Sequence, residues 1–397
     1  MTGLAVAIVG AGPAGLFTLD ALLRQAPEVR VDVYERLPTP FGLIRHGVAP
    51  DHQGTKAVVR QFDRAFGRPN VRLIADCDVG PAVPLELLRE AYDLVFLATG
   101  APVGRRLGVS GEDLPGVYGG AAFMAWLNGH PDYRGLEPQV GEQVVVVGGG
   151  NVALDVTRVL AKTEAEMASS DLCAHARRIT GVARSITVVV RSPPEKARFT
   201  SSELAALGRL KTASVAIELP ATADLSVPAV AALAALSGGP PSAATSIRFR
   251  FALQPIQVLG SGRVEQVRLQ GPGGVEENVA ADTLILAIGQ AASPAPPRER
   301  TCAVGWAAGG RGDIPGARAE AADSVRRMLA GATVAPREAA RARLNAWLEA
   351  SGADLLDWAA WRRIDAAERA AAVPPRPREK LASWESLRRV ARLYETV

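Results

Sequence analysis

Short apolar runs, several of them closed by glycine, alternate along the first 290 residues with stretches whose apolar positions recur every third or fourth residue. That alternation predicts parallel strands joined by crossover helices. From Leu4 to Glu35 an apolar run, a glycine turn, an apolar helix over 15–25 and a second apolar run make a βαβ unit. YDLVFLATGA at 92–101 predicts a buried parallel strand that ends in a glycine turn and closes the sheet of this first lobe. LPGVYGGAAFMAWLNG follows as crossover and helix, and a second βαβ unit opens at Val144, with a helix over 152–162 and a strand from Ile186. Between them EAEMASSDLCAHARRITGVAR is too long for a tight connection and reads as helical elaboration.

Further on the pattern weakens. Residues 213–240 are rich in Ala, Pro, Gly and Ser and predict no particular element. SIRFRFALQPIQVLGSGRVEQVRLQG predicts antiparallel strands joined at GSGR, and TLILAIGQ another buried strand with a glycine end. ASPAPPRER reads as a linker returning to the first lobe, 317–350 as helical, and the tail beyond Leu355 carries Trp358, Trp361 and Trp384. The expected fold class is α/β with two Rossmann-like dinucleotide-binding domains, one inserted into the other: 1–101 and 290–397 against 102–289.

Composition narrows the function. A chain of 397 residues is too long for one ordinary core, which agrees with two lobes. No uncharged apolar run reaches the roughly 18 residues of a membrane span, and the residues before Leu4 lack the basic region of a signal peptide, so a cytoplasmic protein without membrane insertion is expected. Cys77, Cys173 and Cys302 are too scattered for a disulfide framework or a metal cluster, and the absence of CxxC argues against a redox dithiol. The net charge of +4 is small and reads mainly as compositional bias towards arginine, with a basic face for an acidic protein partner as the alternative. Nothing resembles a nucleic-acid-binding module.

Two glycine fingerprints carry the chemistry. AVAIVGAGPAG at 5–15 places Gly10, Gly12 and Gly15 for a tight turn, close backbone approach to a pyrophosphate, and close packing of helix on strand. The turn amides and the helix N-terminus face the anion. The next strand, VDVYE, ends in Glu35, an acid suited to a ribose with free hydroxyls, so this site reads as FAD. VVVVGGGNVA at 144–153 repeats the pattern with Gly148, Gly150 and Ala153, but its next strand, ITVVVRS, ends in Arg191 beside Ser192. An arginine there suits a 2′-phosphate, so this site reads as NADPH. Lys196 and Arg198 follow closely. The Pro- and Gly-rich stretch RLPTPFGLIRHGVAPDH, with His46 and His52, lies beyond the first acid, at the strand end where ligands bind in doubly wound sheets. Glu203 in RFTSSEL reads equally as a helix-terminus acid and as a chemical group, and Trp306 equally as core and as ligand contact.

In order, FGLIRHGVAPDH, EDLPGVY with AWLNG, GGGNVALDVTRVL, RFTSSEL, the GW at 305–306 and PREKL at 377–381 resemble adrenodoxin reductase and the related bacterial ferredoxin NADP reductases. The resemblance runs from about Leu4 to Leu210 and from Thr283 onward. It implies a flavoprotein passing hydride from NADPH to FAD and then single electrons to a ferredoxin or similar carrier. It further implies that Gly10, Gly12, Pro13, Ala14, Gly15, Glu35, Arg36, Leu43, Val79, Thr99, Gly100 and Trp306 hold FAD. Gly148, Gly150, Asn151, Val152, Arg191 and Ser192 would hold NADPH, and His52 with Glu203 would form a pair beside the flavin that handles hydride and proton.

This chain departs from the family at several points. Ser192 stands where a second adjacent arginine is usual, so the preference for NADPH over NADH should weaken by about 1–3 kcal/mol, with Lys196 as a compensating cation. Ala205 replaces an arginine associated with the carrier, which leaves open a flavoenzyme reducing a small molecule or a partner oxygenase instead. GGRGDIPG replaces the usual segment after GW, so a flavin contact at Gly312 is an expectation only, and a catalytically degenerate flavin-binding subunit is a further alternative.

Overall fold

The computed structural model describes residues 3–101, 103–240, 242–291, 298–309, 314–350 and 354–393. Two parallel sheets organise it. In the first the strand order is Thr301–Ala303, Leu94–Leu97, Ala5–Val9, Arg30–Tyr34 and Val71–Ile74, all parallel. In the second the order is Val117–Gly119, Thr283–Leu286, Gln143–Val147, Ser185–Val190, Thr245–Phe251 and Ala213–Glu218, again all parallel. Every residue of Ala5–Val9 is buried, as in a central strand covered on both faces, and the β-branched content of Gln143–Val147 suits the same role.

Each sheet is packed on both faces. Helices Pro13–Gln25 and Ile314–Ala330 cover one face of the first, and that apolar core also takes Trp361, Ile364 and Leu387 from the C-terminal region. Its other face packs on Leu88 and Leu344. In the second sheet, Val144, Val146, Val188 and Ile285 face helix Asn151–Ala161, while Val145, Val147 and Leu284 face a three-stranded antiparallel sheet of Gln254–Leu259, Gln266–Gln270 and Glu276–Ala280.

Several expectations need revision. Leu94–Leu97 does not close the first sheet, because Thr301–Ala303 pairs on its outer side. SIRFRF forms a parallel strand of the second sheet, with alternating burial, and only the strands flanking GSGR are antiparallel. The unpatterned segment 213–240 contains an edge strand, Ala213–Glu218, and a helix, Pro228–Ala234. The elaboration after the second helix is two short 3₁₀ turns, Ala165–Met167 and Ala174–Ile179. The stretch 317–350 is helical as expected, in two helices, Ile314–Ala330 and Glu338–Ala350, parted at Gly331 and Pro336. Most of the expected linker, 292–297, lies outside the described residues.

The chain passes between the sheets along an antiparallel pair, Val103–Gly104 with Gln290–Ala291. Buried charge then holds the C-terminal region to the first lobe and ties both to the second. Arg45 makes a two-pronged pair with Glu368 at 3.0 and 2.5 Å. Lys56 and Lys380 share Asp171, at 2.7 and 2.8 Å, and both donate to Asn128 Oδ1. Burial and the neighbouring Lys380 charge push the Lys56 ammonium well below its usual range. Burial would raise the Asp171 carboxyl, but the two lysines hold it down at about 2.

Candidate functional site

The first fingerprint folds as its glycines require. Gly10 has φ 105°, and a Cβ there would stand 2.4 Å from the Ala98 carbonyl oxygen. At Gly15 a Cβ would stand 1.9 Å from the Gly10 carbonyl oxygen, so helix and strand could not close together. Gly12 differs, because its nearest neighbour would be Gly42 Cα at 3.9 Å. Nothing in the fold demands a glycine at Gly12, which caps helix Pro13–Gln25 without a side-chain hydrogen bond. That turn accepts a close anionic group, and a dinucleotide pyrophosphate fits it.

The other expected residues gather around this turn. Glu35 follows the strand Arg30–Tyr34 and accepts from the Ala11 and Leu37 N–H groups at 2.8 and 2.9 Å. Burial raises its carboxyl, which those backbone donors oppose. Phe41 N–H donates to Ala11 O at 2.8 Å, bringing Gly42 and the exposed Leu43 up to the turn. Thr99 is exposed and Gly100 has φ 73°, just past Ala98. Cys77 N–H donates to Glu35 O at 2.9 Å, so the half-buried Val79 lies close to the Glu35 end. A Cβ on Gly305 would meet Ala14 Cβ at 2.6 Å, which sets the half-buried Trp306 beside the start of the helix. Pro13 is its first residue. Arg36 is engaged with Asp132 at 2.6 Å and lies over the Trp384 ring. Gly312 lies outside the described residues.

The second fingerprint repeats the logic. A Cβ on Gly148 would stand 2.4 Å from the Ala287 carbonyl oxygen, and one on Gly149 would stand 2.9 Å from Val190 Cγ1. Around Gly150 nothing comes within 4 Å, and Ala153 is fully buried where the third glycine would pack. Asn151 Oδ1 accepts from Thr200 N–H at 3.0 Å, and Val152 is exposed at the first turn of the helix. Arg191 and Lys196 are exposed and Ser192 half-buried, and among the described residues neither cation has an acidic partner within ion-pair distance.

A charged cluster joins residues of the first lobe to residues of the second. His52, from the first fingerprint's side of the chain, has Nδ1 3.4 Å from Glu203 Oε1 and 3.8 Å from Asp155 Oδ1. Arg158, almost wholly buried, holds the cluster: it donates to Asp51 at 2.8 and 2.9 Å, to Asp155 at 2.7 Å and to Glu203 at 3.0 Å. Lys162 adds a bond to Asp51 at 2.7 Å. Burial would raise Asp51, but Arg158 and Lys162 hold its carboxyl well below the usual range. Asp155 goes the other way: burial and the Glu203 charge outweigh Arg158 and push it up to about 6. Burial, then the charge of Arg158, lowers His52, so its imidazole is neutral at physiological pH.

The structure thus forms both expected glycine turns and brings His52 and Glu203 together. Asp51, Asp155, Arg158 and Lys162 escaped the sequence reading. The signal was present: Asp155, Arg158 and Lys162 are spaced three and four apart in an otherwise apolar helical stretch, which puts them on one stripe. Burial pushes the Cys77 and Cys173 thiols up to about 12, which leaves them protonated and unreactive.

Two Rossmann-type units, each with a glycine turn open to a pyrophosphate and with a shared histidine–carboxylate cluster, define a dinucleotide-binding oxidoreductase. The pyridine nucleotide-disulphide oxidoreductase model matches residues 4–224, and the chain belongs to that family. It is 33% identical over 452 aligned residues to the NADPH-ferredoxin reductase FprA of Mycobacterium tuberculosis, covering 97% of this chain and 98% of that one. It is 32% identical to the cindoxin reductase of Citrobacter braakii, over 95% of this chain and 88% of that one. The structure of M. tuberculosis FprA in complex with NADPH superposes with a TM-score of 0.88, at 31% identity, over 98% of this chain and 99% of that one. Among the described residues no helix is long and apolar enough to cross a membrane.

Proposed function

We propose that this chain is an FAD-dependent oxidoreductase that takes hydride from NADPH and passes single electrons to a ferredoxin-type iron-sulfur carrier. The carrying observation is the pair of glycine turns, each open at its middle glycine, together with the His52–Asp155–Glu203 cluster, which joins a residue of one lobe to two of the other. In this reading the chain divides into an FAD lobe of 1–101 and 290–397 and an NADPH lobe of 102–289. The strand pair Val103–Gly104 with Gln290–Ala291 is the crossing point that supports those limits. A cytoplasmic site goes with an intracellular nucleotide as reductant.

The chemistry FAD supplies when bound is the coupling of a two-electron donor to one-electron acceptors. The protein's part is position and electrostatics. Gly12 and the helix start at Pro13 would receive the FAD pyrophosphate, and Glu35 retains free lone pairs for ribose hydroxyls. Leu43 and Trp306 offer apolar surface next to that turn, and Trp306 would limit access to the flavin face. Gly150, Asn151 and Val152 would receive the nucleotide of NADPH, with Arg191 directed to its 2′-phosphate. His52, neutral and beside Glu203 and Asp155, can accept a proton and give it back as imidazolium, while Arg158 keeps Glu203 and Asp155 in place.

The test is anaerobic mixing of purified, yellow protein with NADPH, followed by oxidised ferredoxin and cytochrome c. Bleaching of the flavin band and ferredoxin-dependent cytochrome reduction are expected. Protein that neither carries nor rebinds FAD would overturn the reading, and flavin reduction without any ferredoxin dependence would remove the carrier from it.

A further inference from the structure

Arg198 contributes nothing to either glycine pattern, yet its backbone is built into the second glycine turn. Its N–H donates to Gly149 O at 2.7 Å, and Arg198 stands opposite Gly150 in a parallel bridge. Its neighbours fix it there: Phe199 meets Phe249 edge-on with centroids 6.0 Å apart, Ala197 packs on the second lobe's core, and Thr200 N–H is bound by Asn151 Oδ1 at 3.0 Å. The Arg198 side chain itself is exposed, with no acidic partner within ion-pair distance among the described residues. The anchored backbone fixes where this guanidinium can reach, and the exposed side chain is free to turn towards an anion at the glycine turn.

The unpaired cations of this lobe therefore occupy different places. Arg191 follows the strand Ser185–Val190, where the adenosine ribose of a dinucleotide lies. Arg198 stands at the turn before helix Asn151–Ala161, where the pyrophosphate lies and where a Cβ on Gly150 would meet nothing within 4 Å. We propose that Arg198 clamps the pyrophosphate of the nicotinamide dinucleotide and that Arg191 reads the 2′-phosphate. This rests on the second fingerprint being the NADPH site. Its consequence is that the second cation acts on a group NADH and NADPH share, so it strengthens both without telling them apart.

Two fragments separate the roles: ADP-ribose carries the pyrophosphate without a 2′-phosphate, and 2′-AMP the reverse. Binding of each to the FAD-loaded protein is titrated calorimetrically, beside KM for NADPH and NADH. For Arg198→Ala, ADP-ribose should bind about tenfold more weakly, both KM values should rise by a common factor, and 2′-AMP should be unaffected. Arg198→Lys should recover part of the loss, and flavin content should match wild type. For Arg191→Ala, 2′-AMP and NADPH should weaken while ADP-ribose and NADH do not. Unchanged ADP-ribose binding in Arg198→Ala would overturn the clamp, as would a loss confined to 2′-AMP and NADPH. A wild-type protein binding neither fragment would instead overturn the assignment of the second fingerprint, and the clamp with it.

Discussion

Asp155 carries a cost that a single atom exchange should relieve. Its carboxylate is largely buried, bonded to Arg158 at 2.7 Å, and pushed up from 3.8 to about 6 by burial and by the Glu203 charge. Between those values the folded chain holds a proton that the unfolded chain has released, so stability falls as pH rises through the window and the full cost is present above it. One pKa unit corresponds to about 1.4 kcal/mol, so the ionised Asp155 costs the fold on the order of 3 kcal/mol at pH 8 and about 1 kcal/mol at pH 4.5. Asp155→Asn keeps Oδ1 as an acceptor for Arg158 and removes the charge. The variant should therefore be more stable than wild type at pH 8, with a melting temperature higher by a few degrees, and the gap should narrow to about a third at pH 4.5. The assay is scanning calorimetry or tryptophan fluorescence on FAD-loaded protein across that range. A variant less stable than wild type at pH 8, or a gap independent of pH, would refute the reasoning and mean that Arg158 favours the ionised form more than burial opposes it.

Other consequences are as direct. Gly10→Ala would drive a methyl into the Ala98 carbonyl at 2.4 Å and should give insoluble or flavin-free, unfolded protein, whereas Gly12→Ala should fold, by circular dichroism, yet retain little FAD. Gly150→Ala should keep its flavin and raise KM for NADPH. Glu35→Gln should weaken FAD about 5- to 100-fold in equilibrium dialysis, since a charge-assisted acceptor for the ribose becomes a neutral one. At the buried lysine pair, Asp171→Asn leaves two ammonium groups without their carboxylate and should destabilise by about 3–5 kcal/mol. Lys380→Met should cost clearly less, because Lys56 keeps Asp171 and loses the neighbouring charge that depresses it; equal melting temperatures for these variants would contradict that account.

Local order made much of this molecule legible in the sequence. Apolar runs with glycine ends identified strands Ala5–Val9, Leu94–Leu97, Gln143–Val147 and Thr283–Leu286, because a strand buried on both faces must be apolar throughout. The glycine positions were legible from their spacing within a strand–turn–helix pattern, although the carbonyls that forbid a side chain at Gly10 and Gly148 belong to the distant Ala98 and Ala287, and the acid and the arginine were legible from their places at the next strand ends. What needed the tertiary structure was anything set by residues far apart. SIRFRF alternates in burial at a second-sheet strand, so its period suggested an antiparallel partner; only the neighbouring strands decide that it runs parallel. Arg158 looked like one more polar residue on a helix until the fold brought Asp51 and Glu203 to it from about 107 and 45 residues away. Sequence thus determined the two nucleotide turns, whose chemistry is written in adjacent residues. The three-dimensional fold alone decided the charged cluster that joins the two lobes, because burial and charge balance there are properties of the packed chain.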